Sequence, residues 1–332
     1  MEIEQINPAT NDVRQVIDSW LERCSATIYH TTDWNLIVQD VFGTVCRYFL
    51  AYYQGNLVGV LPCHFVKSDR YVTICYSPPR IYEVTYGGPV AIGAESPQIS
   101  ESLVRAAAHS GIGVFIDIFN SPQNTDWAVL TGWKRVTAYE SAYVNLGLSL
   151  DDIWRFSLNG KRRNMIRKAE KAGVQVRHLG LEGLDQYYDL VQETMGRAGL
   201  HAKPKIYYAK ILRAFGARDQ ARLYLAFHNG AALTGGIFLR HQNMCYYWVG
   251  ATASNSENLG QGELLQWQVI QWAKEAGCEW YDLVGIERDR LPHIARFKLG
   301  FTDHIVSFHH VSYATIASRV LRRVKHTLWK NH

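Results

Sequence analysis

The sequence predicts an α/β fold with mixed sheets, in which one unit is written twice. Three observations carry this. Short runs rich in Val, Ile, Tyr and Phe alternate with turn residues, the pattern of half-buried strands. Two hairpins stand far apart: Phe49–Tyr53 and Leu57–Leu61 flank Gln54-Gly55, while Arg222–Phe227 and Ala232–Leu239 flank Asn229-Gly230, a strong type I′ turn signal. After each hairpin the same order follows at similar spacing: strand, helix, buried strand, and a last strand opened by Gly132-Trp133 or Gly300-Phe301. A chain of 332 residues, 47% hydrophobic, has the length and apolar content for about two such units.

The elements of the first half follow in order. After the hairpin, a strand pair covers Tyr71–Tyr76, residues 99–110 form a helix, and Gly113–Phe119 form a buried strand. The strand opened by Gly132 runs to about Leu146. Between the halves a helix spans about Asp152–Ala172, with Leu158, Met165, Ile166, Ala169 and Ala172 as its apolar stripe. Its other face is basic: Lys161, Arg162, Arg163, Arg167, Lys168 and Lys171, opposed by Glu170 alone. Gly173 ends it, Val174–Arg177 form a short strand, and two helices cover 185–198 and 205–215. In the second half Met244–Val249 is a strand, Glu263–Ala276 a helix with Leu265, Val269, Trp272 and Ala276 on one stripe, and Trp280–Val284 a buried strand. The tail, 314–332, predicts an amphipathic basic helix with Ile316, Val320, Val324 and Leu328 on one side. The expected organisation is a first unit over 1–150, a second over 151–313, and the tail helix.

The formal charge of +5 lies in that tail: no Asp or Glu follows Asp303, and Arg319, Arg322, Arg323, Lys325 and Lys330 do. A balanced body argues against DNA binding. The six cysteines are scattered among apolar residues without Cys-x-x-Cys spacing, so they read as buried thiols in a reducing compartment, not as a zinc site. The start, Met1-Glu2-Ile3-Glu4, lacks the parts of a signal peptide, and no apolar run reaches the length of a membrane span. The expectation is a cytoplasmic protein, with the tail as a contact for the inner membrane face. No nucleotide-binding P-loop, dinucleotide fingerprint, serine-hydrolase elbow or His-Glu-x-x-His is present. The histidines show no ligand spacing, and no metal is expected.

Several segments together resemble a known family. They are Lys161-Arg162-Arg163-Asn164-Met165-Ile166-Arg167-Lys168-Ala169 with Gly173-Val174, then Tyr281-Asp282-Leu283-Val284-Gly285-Ile286, then Arg296-Phe297-Lys298-Leu299-Gly300-Phe301, and in the first half Tyr86-Gly87-Gly88-Pro89-Val90. The element order is that of the GNAT fold, and the doubled unit resembles the Fem-type aminoacyltransferases and related FemAB-like acyltransferases. The resemblance is strongest over 150–312 and implies two tandem GNAT-like units. It also implies transfer of an aminoacyl or acyl group to an acceptor amine in cell-envelope synthesis, peptidoglycan or polysaccharide. The implied donor is aminoacyl-tRNA or acyl-CoA, with no tightly bound cofactor, and the implied acceptor is a cell-envelope precursor. The long helical arm of some cross-bridge enzymes has no room here.

Acyl transfer to an amine builds negative charge on the carbonyl oxygen, which a fixed cation stabilises. By resemblance that cation is Lys298, positioned by Phe297. Leu259-Gly260-Gln261-Gly262, before the second-half helix, sits where GNAT enzymes hold the donor's pyrophosphate on backbone N–H groups. Glu257 stands where the usual pattern has Gln or Arg, which opposes a polyanion. The first-half counterpart, Ala94-Glu95-Ser96-Pro97, lacks such glycines, so the donor is expected in the second unit alone. Lys205, Tyr208 and Tyr247 are the candidates for the acceptor, and Arg163 and Arg167 for phosphates. Asp117 and Asp282 lie on equivalent strands, and neither is carried over as a general base. The alternatives are an acetyl-CoA-dependent N-acetyltransferase acting on an amino sugar, and a non-catalytic GNAT-like protein that recruits or tethers.

Overall fold

The computed structural model describes residues 1–68, 72–111, 114–124, 135–254 and 256–314. The tail helix expected over 314–332, from residue 315 on, and Gly132-Trp133 therefore lie outside the described residues. The chain divides into two compact units: Met1–Tyr139 with the described part of Ser307–His332, and Glu140–Val306. The sequence predicts a division at 150, with 307–313 in the second unit.

The first unit opens with β1 (Glu2–Ile6), α1 (Asn11–Leu21) and α2 (Thr32–Phe42), a stretch the sequence reading left unassigned. Thr31 caps α2 by accepting the Trp34 N–H, and Gly43 ends it in the left-handed region. β2 (Val45–Tyr53) and β3 (Asn56–Lys67) form the expected hairpin. Its turn residues Gln54 and Gly55 both have positive φ, as a type I′ turn requires. β4 (Thr73–Ser77) follows, then the short β5 (Val90–Ala91) beside β3, α3 (Ser96–His109) and β6 (Val114–Phe119). α3 buries Ile99, Leu103, Val104 and Ala107 against the sheet. β4 and β6 run parallel, with Tyr76 opposite Asp117.

The second unit repeats this plan. β7 (Arg135–Asn145) leads into it, followed by α4 (Leu150–Asp152) and a π-helical turn at Ile153–Ser157. The helix expected over 152–172 is broken at Leu158-Asn159, and α5 spans Gly160–Lys171. The Asn159 side chain accepts the Arg162 N–H at 3.0 Å, a cap that starts a new helix in preference to continuing the old one. Then come β8 (Gln175–Leu179), α6 (Leu184–Arg197), α7 (Lys205–Gly216) and the hairpin β9 (Ala221–His228) and β10 (Ala231–His241). β11 (Met244–Thr252), α8 (Gln261–Glu275) and β12 (Trp280–Asp282) complete the repeat. β11 and β12 run parallel with Tyr246 opposite Asp282, the register seen at Tyr76 and Asp117. The helix α9 (Pro292–Lys298) was not expected; the sequence reading ran from Gly300 straight into a strand. That strand, β13, is Ile305–Ala314.

The repeat differs from a plain tandem in its last strands. β7 pairs antiparallel with β12, through Tyr143, Val144 and Asn145. β13 pairs antiparallel with β6, through His310–Ala314. Each unit thus takes its final strand from the segment that the order of the sequence assigns to the other.

Candidate active site

β11 and β12 share three rungs, and the last is Tyr246 with Asp282. β11 continues to Thr252, but the chain after Asp282 turns away from it. Leu283 and Ile286 give their N–H groups to Ala142 and Glu140 on β7. The two strands therefore part, and the backbone between them is free of the ladder beyond Tyr246.

The turn at this parting is strained. Val284 has φ of 58°, a region that a β-branched residue rarely occupies. Asp282 holds it: its Oδ1 accepts the Val284 N–H at 2.6 Å and the Ser141 hydroxyl at 2.5 Å. The result is two carbonyls, those of Val284 and Gly285, each accepting from the Lys298 Nζ at 2.8 Å. An ammonium has three N–H donors, so two are spent on fixing its position and, among the described residues, one is left for a ligand. Desolvation pushes the Lys298 pKa down to about 8, with Asp282 and Glu287 pulling it back up. It is a cation at neutral pH, held in place before any substrate arrives.

Phe297 precedes it at the end of α9 and packs edge-on against Phe301, ring centroids 5.2 Å apart. Beneath them runs Arg162, which the sequence reading put on the solvent face of its helix. It is buried, at 6% exposure, because it lies four and seven residues before Ile166 and Ala169, on the buried stripe of α5. Its Nη1 pairs with the buried Glu263 carboxylate, its Nη2 donates to the Arg296 carbonyl at 3.0 Å, and its guanidinium lies 4.7 Å from the Phe297 ring centroid. Gly300 lets it pass: a Cβ there would stand 2.3 Å from Arg162 Nε.

Leu259, Gly260, Gln261 and Gly262 lead into α8 as expected. Gly260 is at φ of 89°, and a Cβ would meet the Met165 carbonyl oxygen of α5 at 2.1 Å, so only glycine fits. Two of the loop's N–H groups are taken by its own side chains. Leu259 N–H donates to Gln261 Oε1 at 2.8 Å, and Gly260 N–H to Asn258 Oδ1 at 3.2 Å. Glu263, in the first turn of α8, occupies the favourable end of the helix dipole with a carboxylate. Gly262 faces Phe297, whose ring lies 3.6 Å from where its Cβ would be. Lys298, Phe297 and the 259–262 loop are thus one assembly, joined by Arg162.

The other candidates have partners of their own. Tyr247, the first β11 residue past the last rung, stacks on Phe238 with centroids 5.3 Å apart. Its hydroxyl fills the space that a Gly250 side chain would take, and burial pushes its pKa up to about 12. Tyr208 is fully buried among Tyr187, Tyr207 and Trp248, so it presents no surface to an acceptor. Lys205 pairs with Asp185 on the neighbouring α6. Arg163 turns back to the carbonyls of Trp154, Arg155 and Leu158, where it closes the π-helical turn. Arg167 stacks on Trp154 at 5.3 Å and is exposed, as are Lys161, Lys168 and Lys171.

The matching place in the first unit is filled by its own chain. The Gly87 N–H donates to the Phe119 carbonyl, and its carbonyl accepts from Ser121. Gly88 N–H donates to Ser77 Oγ at 3.0 Å. Added Cβ atoms would come within 2.5 Å of Pro78 N at Gly87 and of Asn120 Oδ1 at Gly88. This is the physical reason for the Tyr86-Gly87-Gly88 motif: two glycines let a strand-like segment plug the end of the β4–β6 pair.

Comparison with known proteins agrees with this geometry. Residues 160–298 match the family described as acetyltransferase (GNAT) domain. The solved structure of FemX has a TM-score of 0.70 to this chain, at 16% identity, over 98% of this chain and 99% of that one. The chain has the fold of FemX, and its second unit carries the acetyltransferase (GNAT) match. The Fem-like fold is shared more distantly with L-PGS from Bacillus licheniformis, TM-score 0.57 at 13% identity, over 90% and 91% of the two chains. In sequence, 132 residues are 29% identical to a UDP-N-acetylmuramoylpentapeptide-lysine N(6)-alanyltransferase of Weissella viridescens. That match spans 39% of this chain and 38% of the relative. Among the described residues no helix is long and apolar enough to cross a membrane, and no three His, Cys, Asp or Glu side chains cluster as metal ligands.

Proposed function

We propose that this Fem-like chain is an aminoacyltransferase of cell-envelope synthesis. It joins an aminoacyl group, carried as an ester on tRNA, to an amine of a cell-wall precursor. The observation that carries this is the Lys298 ammonium, fixed by two carbonyls with one N–H left over. The acceptor amine attacks the ester carbonyl, and the carbonyl oxygen takes up negative charge that this N–H stabilises. The C–O bond to the tRNA then breaks, the amide forms, and the proton lost by the amine leaves with the tRNA hydroxyl. The relative's name gives the acceptor class, a lysine amine on a nucleotide-linked muropeptide.

The choice of aminoacyl-tRNA over acyl-CoA rests on the 259–262 loop. A pyrophosphate cradle needs outward N–H groups, and here Leu259 and Gly260 give theirs to Gln261 and Asn258. Glu257 adds negative charge beside it, while exposed Lys161, Arg167, Lys168 and Lys171 on α5 suit an RNA backbone. Tyr247 is the acceptor-side aromatic in this reading, and contact of the tail with the inner membrane face belongs to it as well. The test titrates the purified protein with acetyl-CoA and with charged tRNA, then follows transfer to a UDP-linked muropeptide. Salt-sensitive tRNA binding and transfer lost in Lys298→Ala support the reading. Micromolar acetyl-CoA binding with acetylation of an amino sugar would replace the donor. A Lys298→Ala protein that keeps full cellular function would remove the enzyme claim.

A further inference from the structure

We propose that Arg162 is a positioning residue: it fixes the short helix that carries Phe297 and Lys298 against the start of α8. The proposal rests on the acyl-transfer reading for its chemistry and on the geometry for its cause. α9 has seven residues, well under the length at which a helix stands by itself in water. Its position is therefore set by what holds it from outside. Two cations do this. Lys298 reaches forward to the Val284 and Gly285 carbonyls, and Arg162 reaches in from α5 to the Arg296 carbonyl. The Arg296 carbonyl lies in the last turn, where carbonyls lack helix partners and a cation is favoured.

Arg162 also carries the position of α8 to the same place. Its other guanidinium arm is paired with Glu263 in the first turn of α8, and its flat face lies against Phe297. Its Nε, under Gly300, has no hydrogen-bond partner among the described residues. A buried ion pair of this kind adds little net stability over apolar side chains of the same size. What it does add is fixed geometry, since a planar fork with two separate partners allows one orientation. A displacement of about 1 Å at the Lys298 ammonium is enough to cost roughly 100-fold in rate. Lysine at 162 keeps the charge and loses the fork.

The experiment compares the wild-type protein with Arg162→Met/Glu263→Gln, which removes both buried charges together, and with the milder Arg162→Lys. The Lys298 pKa is read by NMR of the protein labelled at lysine Cε, and transfer kinetics are measured with charged tRNA and a muropeptide. The expected result is a Lys298 that titrates above the wild-type value of about 8, toward ~10.4. With it kcat falls roughly 100-fold while KM changes less than about threefold. Arg162→Lys falls between. A Lys298 still titrating at about 8 in the folded variants, with kcat within about threefold of wild type, overturns the proposal. The pKa measurement needs no substrate. If it moves as expected while the wild-type protein transfers no aminoacyl group, the positioning role stands and the acyl-transfer reading falls.

Discussion

Lys298 has a pKa of about 8 because burial disfavours its charge, and this sets the sign of two effects. In catalysis the cation is the useful form, so kcat/KM of the wild type relative to Lys298→Arg, whose guanidinium stays charged, should fall as pH rises through about 8. The ratio cancels the rise that deprotonation of the acceptor amine gives to both. A ratio that climbs through pH 8 instead would make the lysine a base. In stability the sign is opposite. The folded pKa lies below the unfolded value of ~10.4, so the ammonium costs stability below pH 8, and the cost fades as pH rises toward 10.4. Thermal melts of wild type and Lys298→Met at pH 7 and pH 9 read this directly: the wild type should gain on the variant at pH 9. Lys298→Gln should lower kcat by about 100- to 1000-fold, the usual effect of removing one oxyanion donor. At Gly260 the expectation is structural. Gly260→Ala places a Cβ against the Met165 carbonyl at φ of 89°, and should cost at least about 1–3 kcal/mol in denaturant melts.

At the level of elements the sequence was legible where a local signal decided the outcome. The hairpins stand as read because Gln54-Gly55 and Asn229-Gly230 adopt the positive φ angles that their turn requires. The α8 helix stands because Leu265, Val269 and Trp272 fall on one buried stripe. Two features were not legible. The first is the break before α5: charge periodicity over 152–172 looks continuous, yet one cap at Asn159 restarts the helix. Asn159→Ala should therefore cost about 1 kcal/mol, and Asn159→Asp should keep most of it, as urea melts will show. The second is α9, a two-turn helix too short for a periodic signature. Lys298 and the 259–262 loop were found through motifs, but their joining through Arg162 and Glu263, 101 residues apart, leaves no trace in local sequence. The Gly87-Gly88 pair was visible as a motif, and its role as a plug follows only from the close approach of Pro78 and Asn120.

For the molecule as a whole, the order of elements was readable and their partnership was not. Strand propensity says that β7 and β13 are strands; nothing in a run of apolar residues names the strand it pairs with. A fragment cut at the boundary expected from the sequence, 151–313, lacks the β7 partner of β12. It should fail to give a cooperative melt, whereas 135–306 should give one; equal melts would show that the last strand adds nothing to the second unit. The pairing of β13 with β6 also has a consequence for synthesis. When residue 139 leaves the ribosome, the first unit has every described strand but its final one, and that strand is encoded about 175 residues downstream. At about 5–20 residues per second the wait is roughly 10–35 s. Throughout it Val114–Phe119 offers an open apolar edge, and the next strand to emerge, β7, is the wrong one to fill it. A nascent chain stalled before β13 should bind chaperone, and release it once Ala314 is clear of the exit tunnel.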